Sequence, residues 1–141
     1  MNTDKKTENE VTAALQKLTH AYAKRDLKGF LECFASDADV VLYGTGADEK
    51  CIGQEQIRTQ VGRDWAQSES AAMSFTWTSI SGAGVVAWAA VDGTFRFRAD
   101  GQEMSLPGRI TFVLERREGR WLIVQSHFST PASEQEEGQS F

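Results

Sequence analysis

Few side chains in this 141-residue sequence have the chemistry to catalyse, and their spacing narrows the field further. The only histidines are His20 and His127, too few for a His-rich metal site, and neither a metal nor a cofactor is expected. Cys33 and Cys51 lack the C-x-x-C spacing of redox and zinc motifs and read as free thiols of a reducing compartment. Ser126 has no base beside it in sequence and is not a credible nucleophile. Asp37 and Asp39 make a carboxylate pair, but one that follows a helix end, where acidic turn residues are common. Gly44-Thr-Gly46 and Gly82-Ala-Gly84 lack the lysine and the strand-to-helix setting of a phosphate loop. That leaves Arg109. Its planar five-donor fork, inside an apolar cavity, would suit bidentate capture of a carboxylate. The plainer reading is a half-exposed strand arginine paired with Glu103, Asp92 or another carboxylate.

The elements that must position these residues follow from hydrophobic period. A Thr7/Glu10 capping box precedes Val11, Ala14, Leu15, Leu18 and Tyr22, one apolar stripe on a helix that leaves His20 solvated. Asp26 can cap a second helix carrying Leu27, Phe30, Leu31 and Phe34. A short strand fits Val40–Tyr43, and Ile57, Val61 and Trp65 mark a third helix starting near Gly53. From Ala71 the period becomes two. Long strands then run to about Thr130, turning at Gly82-Ala-Gly84, Asp100-Gly101 and Glu118-Gly119, with a bulge expected at Asp92-Gly93. Residues 1–7 and 132–141 read as flexible termini around one domain, 8–131. The order is that of an α+β domain with helices on one face of a curved sheet.

Composition bounds the partners. Fifteen basic against 20 acidic residues leave a net charge of −5, which argues against nucleic acid and anionic lipid. Neither a secretory leader nor a membrane span is apparent, and a cytoplasmic protein is expected. In the last strand Trp121 and Ile123 point one way while Leu122, Val124 and Phe128 point the other. A sheet with one wet face should alternate more cleanly. Both faces should therefore be covered, the second by another copy of the chain, giving a homodimer through the sheet.

Four segments carry a family resemblance: Arg25–Ala38, Val86-Ala-Trp88, Gly108–Leu114 and Trp121–Pro131. Together they resemble the SnoaL-like branch of the nuclear transport factor 2 superfamily, which includes steroid isomerases, polyketide cyclases and kinase association domains. The resemblance implies a cone-shaped, cystatin-like roll, with three N-terminal helices on a strongly curved, mostly antiparallel sheet around a pocket. It puts Arg109, Thr111, Val113, Val124, Ser126 and Phe128 on the pocket face. Trp65 and Val61 would close the pocket from the third helix, and Leu18 and Tyr22 from the first. Trp88 is also counted as ligand-binding. Trp121, Ile123, Phe112 and His127 would face the partner copy. Leu42, Leu18 and Arg109 occupy the places of the isomerases' base, tyrosine and buried acid. An aliphatic chain abstracts no proton and a guanidinium is a permanent cation, so that chemistry is not expected.

The expectation is thus a dimeric domain binding a small apolar ligand, anionic aromatic or carboxylate in character, held by Arg109. Two alternatives stand beside it: a SnoaL-like cyclase, dehydratase or hydrolase with unassigned acid–base residues, and an oligomerisation module.

Overall fold

A computed structural model describes residues 2–141. Helix α1 spans Lys5–Ala23 and starts earlier than its capping box implied. Asp4 is the cap, its Oδ1 accepting from the Thr7 N–H at 2.7 Å. Asp26 caps α2 through the Gly29 N–H as expected, but α2 ends after Leu27–Leu31, short of Phe34. Helix α3 runs Gln54–Ala66 behind Gly53, whose φ of 80° only glycine adopts freely.

The strands are β1 (Val41–Tyr43), β2 (Lys50–Ile52), β3 (Ser70–Ala83), β4 (Val86–Ala99), β5 (Gln102–Arg117) and β6 (Arg120–Ser129). They form one six-stranded sheet in the order β2-β1-β6-β5-β4-β3. Every pairing is antiparallel except β1 with β6. The β4–β5 and β5–β6 turns place Asp100-Gly101 and Glu118-Gly119 at positive φ, the primed-turn geometry that matches strand twist. Strand β2, three residues flanked by loop, had no readable period in sequence.

The helices cover one face only. Val11, Leu15 and Leu18 of α1 and Ile57 and Val61 of α3 share one buried core with Ala87, Ala89 and Val91 of β4 and Ile110, Phe112 and Leu114 of β5. Among the described residues, no helix is long and apolar enough to cross a membrane.

Two bulges decide which residues face inward. The first lies between Phe75 and Trp77 of β3, across from Asp92-Gly93 of β4. The irregularity expected in β4 therefore sits in its partner. A Cβ on Gly93 would come within 2.4 Å of the Ser74 carbonyl oxygen, so the glycine lets β3 buckle toward it. The second lies between Val113 and Leu114, where β6 carries one extra residue, Val124. Past it the phase of β6 reverses. Trp121 and Ile123 point inward on one side of the bulge, and Ser126 and Phe128 point inward on the other. The mixed pattern of this strand records a bulge rather than two covered faces.

Candidate functional site

A cavity of about 390 Å³ opens where the β4–β5 hairpin extends beyond the helices. Tyr22, Phe30, Val61, Phe95, Phe97 and Phe128 supply much of its apolar wall. On the floor, cross-strand pairs set Phe95 beside Leu106 and Phe97 beside Met104. Phe95 lies over Gly108, where an added Cβ would come within 2.7 Å of its ring. The cavity exists in part because position 108 has no side chain.

One end of the cavity is polar. Tyr22 of α1 donates its hydroxyl hydrogen to Asp64 Oδ2 of α3 at 2.9 Å. Gln60 Nε2 donates to Asp64 Oδ1 at 2.9 Å and to Glu49 Oε1 at 2.8 Å, holding both carboxylates together. Glu49 also accepts from the Gly46 N–H. Arg63 grips Asp48 through both Nη atoms at 2.9 and 3.2 Å, and its Nη2 lies 3.5 Å from Glu49 Oε1. Arg25 closes the frame. With φ at 57°, it donates to the carbonyl oxygens of Trp65 and Ser68 at 2.6 and 2.8 Å, tying the end of α1 to the end of α3. That tie is what brings Tyr22 and Asp64 within hydrogen-bonding reach.

Burial raises the pKa of Asp64 above the ordinary 3.8, against the hydrogen bonds from Tyr22 and Gln60. The Tyr22 phenol is raised strongly, first by burial and then by the Asp64 charge. A half-buried carboxylate with a raised pKa in an apolar cavity can bind a donor or accept a proton.

Sequence reading missed Asp64, although a signal existed. Gln60 and Asp64 lie three and seven residues beyond Ile57, on the stripe that Ile57 and Val61 mark as buried. Polar residues on a buried stripe require partners. Only the fold shows that Tyr22 and Glu49 supply them.

Several expected site residues lie elsewhere. Tyr22 and Phe128 line the cavity. Arg109 and Thr111 do not: they are exposed on the outer face of β5, because Gly108, Ile110 and Phe112 take the inward positions. Arg109 stands across from Asp92. Val113 shares that outer phase, and Val124 is the bulge residue. Trp88 is on the outer face at 37% exposure. Trp65 packs on the Tyr22 ring, centroids 5.9 Å apart, behind the cavity wall. Leu18 is fully buried in the core. Ser126 is 1% exposed, and its hydroxyl has no partner. Trp121, Ile123 and Phe112 are corrections too, since all three are buried under the helices instead of facing outward. His127 is exposed on the outer face, its ring 5.1 Å from that of Tyr43. Asp37 is held by Arg117 at the surface and does not line the cavity, and Asp39 is exposed.

A family model for the SnoaL-like domain matches residues 11–133. The chain belongs to the SnoaL-like family. Solved structures agree on the fold. A nuclear transport factor 2-like superfamily protein from Salmonella enterica serovar Typhimurium superposes with a TM-score of 0.82 at 20% identity, over 94% of this chain and 96% of that one. A candidate calcium/calmodulin dependent protein kinase II association domain from Xanthomonas campestris gives 0.78 at 25% identity, over 88% and 87%. A candidate scytalone dehydratase from Novosphingobium aromaticivorans gives 0.80 at 8% identity, over 89% and 85%. A search of curated proteins finds no match. Within the SnoaL-like family the fold hosts many chemistries, so the site itself must carry the functional reading. Of the positions expected to replace isomerase groups, Leu42 lines the cavity, Leu18 is core and Arg109 is outside.

Proposed function

We propose that this SnoaL-like domain binds a small, largely apolar organic molecule in the cavity, its polar end against Tyr22, Gln60 and Asp64. The carrying observation is an aromatic-lined hollow of about 390 Å³ closed at one end by a hydrogen-bonded polar group. Ligand sites generally combine an apolar wall with a few fixed polar atoms in this way. A thermal-shift screen of aromatic and alicyclic fragments tests it. Binding fragments should stabilise the wild type but not Val61→Trp, which fills the hollow. Equal shifts in both proteins would place binding elsewhere.

We also propose a homodimer through the outer sheet face. Bulge phasing removes β6 as support, but Trp77 at 54% and Trp88 at 37% exposure remain there with Val113, Thr111 and His127. Large exposed aromatics on one face are typical of protein contacts. The buried free thiols Cys33 and Cys51 fit a reducing, cytoplasmic setting.

A second reading, enzymatic proton transfer, is favoured by one observation: the raised pKa of Asp64 inside the cavity. Asp64 would take a proton from a bound molecule, with Tyr22 holding the carboxylate in place. Deuterium incorporation from D2O into a bound ketone, abolished by Asp64→Asn, would support this reading; none with any bound ketone would exclude it.

A further inference from the structure

We infer that the ligand of this cavity presents a protonated amine on an aromatic or alicyclic body. The inference rests on the binding reading above and reverses the charge that Arg109 had suggested.

The hydrogens at the polar end are already committed. Tyr22 has one O–H, and it goes to Asp64. Gln60 Nε2 has two hydrogens, and its bonds run to Asp64 and Glu49. The Ser68 hydroxyl donates to the Asp64 carbonyl oxygen and accepts from Arg25. What remains available to a ligand is lone pairs on Asp64, Glu49 and the Tyr22 oxygen. A ligand carboxylate at this end would face the Asp64 and Glu49 carboxylates, the uncommitted donors of the lining being on the exposed residues Thr45, Gln67 and Arg96. A ligand N–H or O–H would find several acceptors.

Charge then separates amine from alcohol. Two of the nearby cations are engaged. Arg25 is bonded to main-chain carbonyls, and Arg63 is held by Asp48 while touching Glu49 from outside. Arg96 borders the mouth from the exposed side of β4. No guanidinium reaches Asp64 among the described hydrogen bonds and ion pairs. A half-buried carboxylate with no cation of its own is the place for a ligand's ammonium. Phenylalanine faces along the wall add cation–π attraction.

Ser126 sits behind this wall without lining the cavity. Its side chain is buried and its hydroxyl unpaired. It shares an inward face with Phe128 and stands across from Leu42, both cavity residues. Buried hydroxyls normally have a partner.

The test uses one bicyclic body in three charge states: tryptamine, tryptophol and indole-3-propionate, titrated calorimetrically into the full chain. Tryptamine should bind at least ~10-fold more tightly than tryptophol, with the acid weakest. Asp64→Asn should erase the amine preference and leave tryptophol within ~2-fold. Glu49→Gln should weaken tryptamine in the same direction, which covers the case of an Asp64 variant that does not fold. If tryptophol or the acid matches or exceeds tryptamine in the wild type, the amine inference falls while the cavity reading stands. If none of the three binds, and the fragment screen likewise gives no shift, the cavity reading falls and takes the inference with it.

Discussion

Asp64 is the residue on which the site turns. Folding holds its proton more tightly than the unfolded chain does. Above pH 3.8, through the window up to its raised value, the folded state carries more protons than the unfolded one. Stability therefore falls as pH rises through that window. As pH rises through that window the wild type should lose stability relative to Asp64→Asn, as measured by urea unfolding at each pH; parallel pH profiles would show that Asp64 is not strained. Ser126→Ala removes a buried hydroxyl with no partner and should stabilise the empty protein by about 1 kcal/mol, or ~4 °C in Tm. Burial pushes the Cys33 thiol up to about 11 and raises Cys51 as well, so both should resist alkylation at pH 8 until the protein unfolds. Rapid labelling of the native chain would contradict that burial. At this scale the sequence was partly legible. Tyr22 and Phe128 were found through the family resemblance, which put both on the pocket side. Asp64 was overlooked because its partner Tyr22 comes from α1, and Glu49, which shares Gln60 with it, comes from the loop before β2.

Among the elements, the bulges decide most. An extra residue in a strand leaves no mark in hydrophobic alternation except a change of phase, and a change of phase can also be read as two covered faces. Reading β6 as one unbroken alternation put Trp121 and Ile123 outside, while the family resemblance put Arg109 and Thr111 inside and Phe112 outside. The turns were legible because Asp-Gly and Glu-Gly pairs state their own backbone requirement. Helix α2 was overestimated, since Phe34 continues the spacing but instead bridges to Ile123 of β6. The floor of the cavity offers an element-scale prediction. Gly108→Ala should force the Phe95 ring aside, costing about 1–3 kcal/mol and weakening ligand binding more than the stability loss explains. Retained affinity together with unchanged stability would mean that the β4–β5 floor yields freely.

The whole molecule was the most legible level. A period of 3.6 followed by a period of two, long strands and tight turns gave the α+β roll, and family resemblance supplied its closed form. Its assembly is a separate matter. Light scattering should give twice 15.6 kDa, and Trp88→Glu should return the protein to a monomer. A wild-type monomer at micromolar concentration would remove the outer-face dimer without touching the cavity. The most direct test of the central claim is calorimetric titration of the best-binding fragment into wild type, Val61→Trp and Arg109→Ala. Binding lost only in Val61→Trp is the predicted result; binding lost in Arg109→Ala but kept in Val61→Trp would contradict the account.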